Sequence, residues 1–183
     1  MEVSSFARTF SADTLTYHRR RDPQLGRQGD VRLSSGAHIV VHRRVGDTLE
    51  VIGELPEGLR ANGYIVDGEV TGPKVAGKLR PVGGDWLTVR RDGVVVLDVR
   101  LTMETDDGAL IYVTYSGIID LGENGYQDFS QGRPPPSGTA IRTSPRFHTS
   151  HPNYLWLNRV HCLGVGQAFL ERSEVKYDVY AVR

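Results

Sequence analysis

The chain has 183 residues, with 22 lysines and arginines against 22 aspartates and glutamates, so its formal net charge is zero. That balance argues against a nucleic-acid partner, because neutralising phosphates leaves a basic surplus, and against a polybasic membrane dock. A single cysteine, Cys162, excludes an internal disulfide and suits a reducing compartment. No apolar run reaches membrane-spanning length and the N-terminus lacks a signal-like core, so the cytoplasm is the expected location.

Residues 1–36 are polar and punctuated by Pro23, Gly26 and Gly29. Arg19-Arg20-Arg21 sits among four acidic residues of the same segment, so it reads as part of a solvated extension and not as an anion site. From residue 37 onward the pattern changes to short β-branched runs separated by glycine, and 37–183 is expected to form one domain. HIVVHRRV and TLEVIGELP predict two strands, YIVDGEVTG and KVAGKLRPV two more, and Gly53, Gly58, Gly63, Gly68, Gly72 and Gly77 recur at hairpin spacing.

The most regular stretch runs from Gly83 to Asp120. Trp86 to Arg91, Val94 to Glu104 and Ala109 to Ile119 read as three antiparallel strands, joined at Asp92-Gly93 and Asp106-Asp107-Gly108. Gly122 to Gly138, with the run QGRPPPSG, predicts a long loop of the kind that covers a site. Ala140 to Thr149 reads as extended, and Asn153 to Arg159 as either a strand or one helical turn. EVKYDVYAVR alternates strictly, with Val175, Tyr177, Val179 and Ala181 on one face, which predicts a half-buried last strand. Many short strands and little helix predict an all-β fold, a closed antiparallel barrel whose interior holds one small ligand.

The runs DGEVTGPKVAGKLRPVGGDW, LDVR, ETDDGALIYVTYSG and TSPRFHTSHPNYLWLNRV, followed by GVG and VKYDVYAV, resemble the domain-of-unknown-function 3237 family. The resemblance covers about Gly46 to the C-terminus. It implies a calycin-like, lipocalin-like antiparallel β-barrel. It also implies cofactor-free chemistry on a small aromatic or polyketide-like molecule, of the kind met in catabolism or secondary metabolism. Its specific form would be ring closure by adding a phenol hydroxyl across an alkene (hydroalkoxylation). His148 departs from the acidic residue common after PRF, which points to a role in substrate choice.

Alternate strand residues face opposite ways, so Asp98, Arg100, Thr102 and Glu104 share one face, and Leu97, Val99, Leu101 and Met103 the other. Either face suits the interior by pattern alone, and the match of LDVR and ETDDG to the family favours the polar one. Facing inward, Asp98 or Glu104 would serve as general acid and Arg100 would hold a carbonyl or phenolate oxygen. Trp86, Trp156, Tyr112 and Tyr115 would supply aromatic walls, with core filling as their alternative. Arg142, His148 and Asn158 form a second polar group. Asn158 would share a strand face with Trp156. Asp85 follows a Gly-Gly turn near the expected mouth, as a turn cap or a ligand contact. Should Leu97, Val99 and Leu101 instead face outward, that strip would need covering, and a homodimer is expected.

No metal is expected: His148-x-x-His151 with His161-Cys162 lacks an acidic ligand, and Pro152 follows His151 directly. No G-x-S-x-G elbow and no strand-to-helix glycine loop is present, so neither a serine hydrolase nor a nucleotide cofactor is implied. The expected function is a cofactor-independent cyclase acting on a small aromatic substrate. A non-catalytic lipocalin-like carrier and an isomerase or lyase of aromatic catabolism are the alternatives.

Overall fold

The computed structural model describes the backbone of residues 10–11, 14–16, 32–45, 49–133 and 138–182, and side chains from residue 49 onward within those ranges. The strands are β1 (Phe10–Ser11), β2 (Thr14–Thr16), β3 (Arg32–Val45), β4 (Glu50–Leu55), β5 (Gly58–Thr71), β6 (Gly77–Arg90), β7 (Val94–Thr105), β8 (Leu110–Asp120), β9 (Thr139–His148), β10 (His161–Phe169) and β11 (Glu174–Val182). Among the described residues one short helix, α1 (Gly125–Ser130), and two 3₁₀ segments, Pro152–Arg159 and Leu170–Arg172, complete them. All pairings among the described residues are antiparallel, as expected. β3 begins at Arg32, inside the segment expected to be an extension, and Arg19–Arg21 lies outside the described residues.

The turns follow local chemistry. Gly93 takes φ +83° between β6 and β7, a left-handed conformation that costs a side chain about 1–2 kcal/mol, and its N–H donates to the Arg90 carbonyl at 3.0 Å. At the next turn the Asp107 carboxylate accepts hydrogen bonds from Thr105 and Tyr154, which hold it below the ordinary carboxylate range.

β5 determines how far the sheet wraps. Its Ile65–Thr71 half pairs with β3, which on its other side pairs with β11. Over that half, β3 and β5 to β11 follow one another all the way round. The Gly58–Asn62 half of β5 pairs with β4 instead, and β4 ends the sheet order. The expected closed barrel is therefore not reached: among the described residues β4 pairs with β5 alone, and its other edge is the seam. Across the β4–β5 pairing, Glu50 accepts hydrogen bonds from the Tyr64 hydroxyl (2.6 Å) and Asn62 Nδ2 (3.0 Å), which lower its carboxyl below the usual range and pin β4 to β5.

The paired half is packed solid. Leu101, Met103, Val113, Phe147, Tyr177 and Val179 surround a residual space of only about 10 Å³. Cys162 is buried there and burial pushes its thiol up to about 11, against a smaller downward pull from Arg146. The 3₁₀ segment Pro152–Arg159 packs against this end, with Leu157 buried and Pro152 in its first turn. The opposite end carries α1, inside the stretch expected to be an irregular loop. Tyr126 and Phe129, three residues apart, fall on one side of a helical turn and pack on the core, while residues 134–137 lie outside the described set.

Candidate functional site

Burial along β7 decides which face looks inward. Val95, Leu97, Val99, Leu101 and Met103 are buried, and Asp98, Arg100 and Glu104 lie on the outer face. Asp98 and Arg100 form an ion pair at 3.1 Å with their side chains about half exposed (50% and 48%). Glu104 stands 3.4 Å from Arg80 and 3.9 Å from Lys78. The expected inward acid and arginine are therefore overturned. The cause is energetic: each large apolar side chain gains roughly 1.5–3 kcal/mol on full burial, whereas a solvated ion pair contributes about 0–1 kcal/mol. Asp98→Asn and Arg100→Gln should each change stability by less than about 1 kcal/mol in urea unfolding. A larger loss would mean that the pair holds β7 in place.

The remaining expected residues divide in the same way. Trp86 faces outward beneath Arg100, whose guanidinium carbon lies 5.4 Å from the ring centre. Tyr112 is 45% exposed, its ring centre 6.2 Å from that of the exposed His148. Arg142 reaches over the sheet surface, donating to the carbonyls of Ile141 (2.7 Å) and Gly166 (3.5 Å). Trp156 and Asn158 lie on the 3₁₀ segment, so the strand argument that put them on one face does not apply. Trp156 packs against the core with Lys74 Nζ 5.8 Å from its ring centre, and Asn158 clamps Thr149 through hydrogen bonds of 2.9 and 2.8 Å. Of the expected aromatic walls only Tyr115 is inside, edge-to-face with Tyr177 at 5.7 Å. Because Leu97, Val99 and Leu101 are internal, the strip that would have called for a dimer is absent from the surface.

What the seam opens is a pocket of about 320 Å³, at the lower end of the range of small-molecule sites. Leu87, Val95, Leu97 and Ile119 form its floor, Val51 the β4 side, and Phe129 comes down from α1. Asp85 stands on the same wall. It is 2% exposed and shares the inward phase of β6 with Leu87 and Val89. One of its oxygens, Oδ1, accepts the Asp98 N–H at 3.1 Å, where the β6–β7 pairing passes from Asp85↔Val99 directly to Thr88↔Val96. The outward Asp98 thus reaches Asp85 through its backbone N–H. Arg133, Ser173 and Glu174, none of them anticipated, complete the rim. Arg133 is held by Asp128 (2.9 Å from Nε) and by Gln131, and Glu174 lies 3.4 Å from Arg172 Nε. Among the described residues no three His, Cys, Asp or Glu side chains gather as a metal site, and no helix is long and apolar enough to cross a membrane.

The family model described as "Protein of unknown function (DUF3237)" matches residues 37–182. The chain belongs to the DUF3237 family. A UPF0311 protein of Rhodopseudomonas palustris is 37% identical to it over 140 residues, spanning 76% of this chain and 90% of the relative. Among solved structures, a conserved protein of unknown function from R. palustris superimposes with TM-score 0.68 at 33% identity, over 79% of this chain and 94% of that one. A beta-barrel-like protein of Acinetobacter baumannii gives 0.68 at 27%, over 79% and 92%. An enzyme from Penicillium herquei shares the fold, with TM-score 0.54 and 22% identity over 78% and 90%.

In this DUF3237 chain the matched region begins within β3 and includes every pocket-lining segment. The pocket gathers residues from β4, β5, β6, β7, β8, the α1 region, the Leu170–Arg172 turn and β11. No local motif announces such a set. The available signal was one acid, Asp85, on an apolar strand face.

Proposed function

We propose that this protein binds one small, largely apolar aromatic molecule in the seam pocket and isomerises it without a cofactor, with Asp85 as the acid. The observation that carries the reading is a carboxyl 2% exposed on the wall of a pocket otherwise floored by leucine, valine and isoleucine. Withdrawal from water favours the neutral form of a carboxyl, and in this proposal Asp85 is the group that gives the proton. Cyclisation by hydroalkoxylation is the specific reaction. Asp85 delivers its proton to an alkene carbon, the phenol oxygen bonds to the neighbouring carbon, and the phenol proton returns to the carboxylate. Atoms balance and no oxidant is required. Phe129 offers an aromatic face to the cation that develops. The enzyme from P. herquei supports the reading only as a shared scaffold.

The Asp98 N–H bond favours a second reading, in which Asp85 is structural and the pocket carries a ligand without turnover. 2-Prenylphenol separates the two. Its conversion to 2,2-dimethylchroman is followed by chromatography, and its binding by calorimetry. Under the proposal Asp85→Asn slows conversion by about 100-fold with affinity nearly unchanged, and Leu97→Trp, which fills the pocket, removes both. Binding without conversion by the wild-type protein would leave the carrier standing.

A further inference from the structure

We propose that the same pocket moves protons at carbon, with Glu174 as base and Asp85 as acid, and that it enolises small aromatic ketones. The inference rests on the reading of Asp85 given above and adds a second catalytic residue and a second substrate class.

The two carboxyls reach one pocket from different elements, Asp85 from β6 and Glu174 from the first position of β11. Their surroundings are opposite. Asp85 is sealed from water, while the Glu174 side chain is 26% exposed and has Arg172 Nε 3.4 Å away. Two carboxyls in unlike surroundings on one pocket are the arrangement that acid–base pairs use.

The backbone before Glu174 is unusual. Ser173 has φ +53°, the one positive value outside glycine among the described residues, and it too lines the pocket. Its N–H donates to the Leu170 carbonyl at 3.2 Å, closing the short turn from which β11 starts. Left-handed serine is disfavoured, and such strain persists where the surroundings hold it in place. Along β11 the inward phase belongs to Val175, Tyr177 and Val179, so Glu174 should look away from the interior. It borders the pocket nonetheless, beside Val175.

A ketone lying between the two would react in balance. The Glu174 carboxylate takes a proton from the carbon next to the carbonyl, and the C–H electrons form the new C=C bond. The C=O π electrons move to oxygen, which takes the Asp85 proton. Reversal through solvent-exchanged carboxyls returns the ketone with a solvent proton on carbon, so no oxidant or reductant takes part.

2-Tetralone in D₂O tests this, with loss of its α-CH₂ signals read by proton NMR and its binding by titration of the aromatic signals. The wild-type protein is expected to exchange bound 2-tetralone about 100-fold faster than buffer. Glu174→Gln and Asp85→Asn should each bring the rate to within about threefold of buffer while binding persists. Glu174→Ala serves in place of a Gln variant that fails to fold, with the same expected rate. Exchange unaltered in a folded Glu174 variant would overturn the role of Glu174. Binding without exchange in the wild-type protein would overturn the inference and leave 2-prenylphenol cyclisation as the separate test of the earlier reading. Absence of binding, or binding that survives Leu97→Trp, would overturn the pocket as the site for both.

Discussion

Gly166→Ala is expected to destabilise the protein by about 3 kcal/mol or more, read as a drop in the urea midpoint followed by circular dichroism. A Cβ at this position would lie 2.0 Å from the Lys176 carbonyl oxygen and 2.4 Å from the Tyr177 Cα. Those are backbone atoms of β11, the strand paired with β10 through Gly166↔Tyr177. A flexible side chain can swing aside, but this contact is relieved only if the two strands part. Parting them would disturb Tyr177, which packs against Tyr115 in the filled half of the sheet. β10 contributes small residues here, Gly164, Gly166 and Ala168, and so leaves room for those two rings. A Gly166→Ala protein within about 0.5 kcal/mol of wild type would mean that β10 and β11 yield far more easily than a close-packed interior does.

The same contrast between local and distant causes explains what could be read from the sequence. The hairpins around Asp92-Gly93 and Asp106-Asp107-Gly108 were legible because a turn is specified by adjacent residues. The alternation of Val175, Tyr177, Val179 and Ala181 was legible because a strand that buries one face has a period of two. The direction of β7 was harder. Its two faces differ by one step of phase, and the LDVR run that carries the family resemblance holds the charges. The apolar face, with Val95, Leu97, Val99, Leu101 and Met103 in register, carried the larger burial energy. α1 is not legible because six residues are too few to display a helical period, and a run of prolines follows it in the sequence. Trp156 and Asn158 share a face only if Asn153 to Arg159 is a strand, and the 3₁₀ segment found there is closer to the helical alternative that the sequence leaves open. The pocket could not be read locally at all. It exists because β3 and β4 share one edge of β5, and the sequence offers no signal for where one hands over to the other.

Asp85→Asn and Asp85→Leu are expected to part company, and the difference isolates what the carboxyl does. Asparagine retains an oxygen that can accept the Asp98 N–H, so Asp85→Asn should stay within about 1 kcal/mol of wild type in urea unfolding. Leucine leaves that N–H without its acceptor in the sheet wall, at a cost of roughly 1–3 kcal/mol, offset in part by the apolar surface the new side chain buries. Stability therefore follows the acceptor. Turnover follows the proton: neither variant has an acid to give, so both should slow 2-prenylphenol conversion by about 100-fold. A carrier would behave otherwise, with Asp85→Leu binding the apolar probe at least as well as wild type and no conversion to lose. If Asp85→Asn were instead as unstable as Asp85→Leu, the carboxylate charge itself would be holding β6 to β7. The acid would then have to be sought elsewhere on the rim, where Glu174 is the remaining carboxyl that lines the pocket.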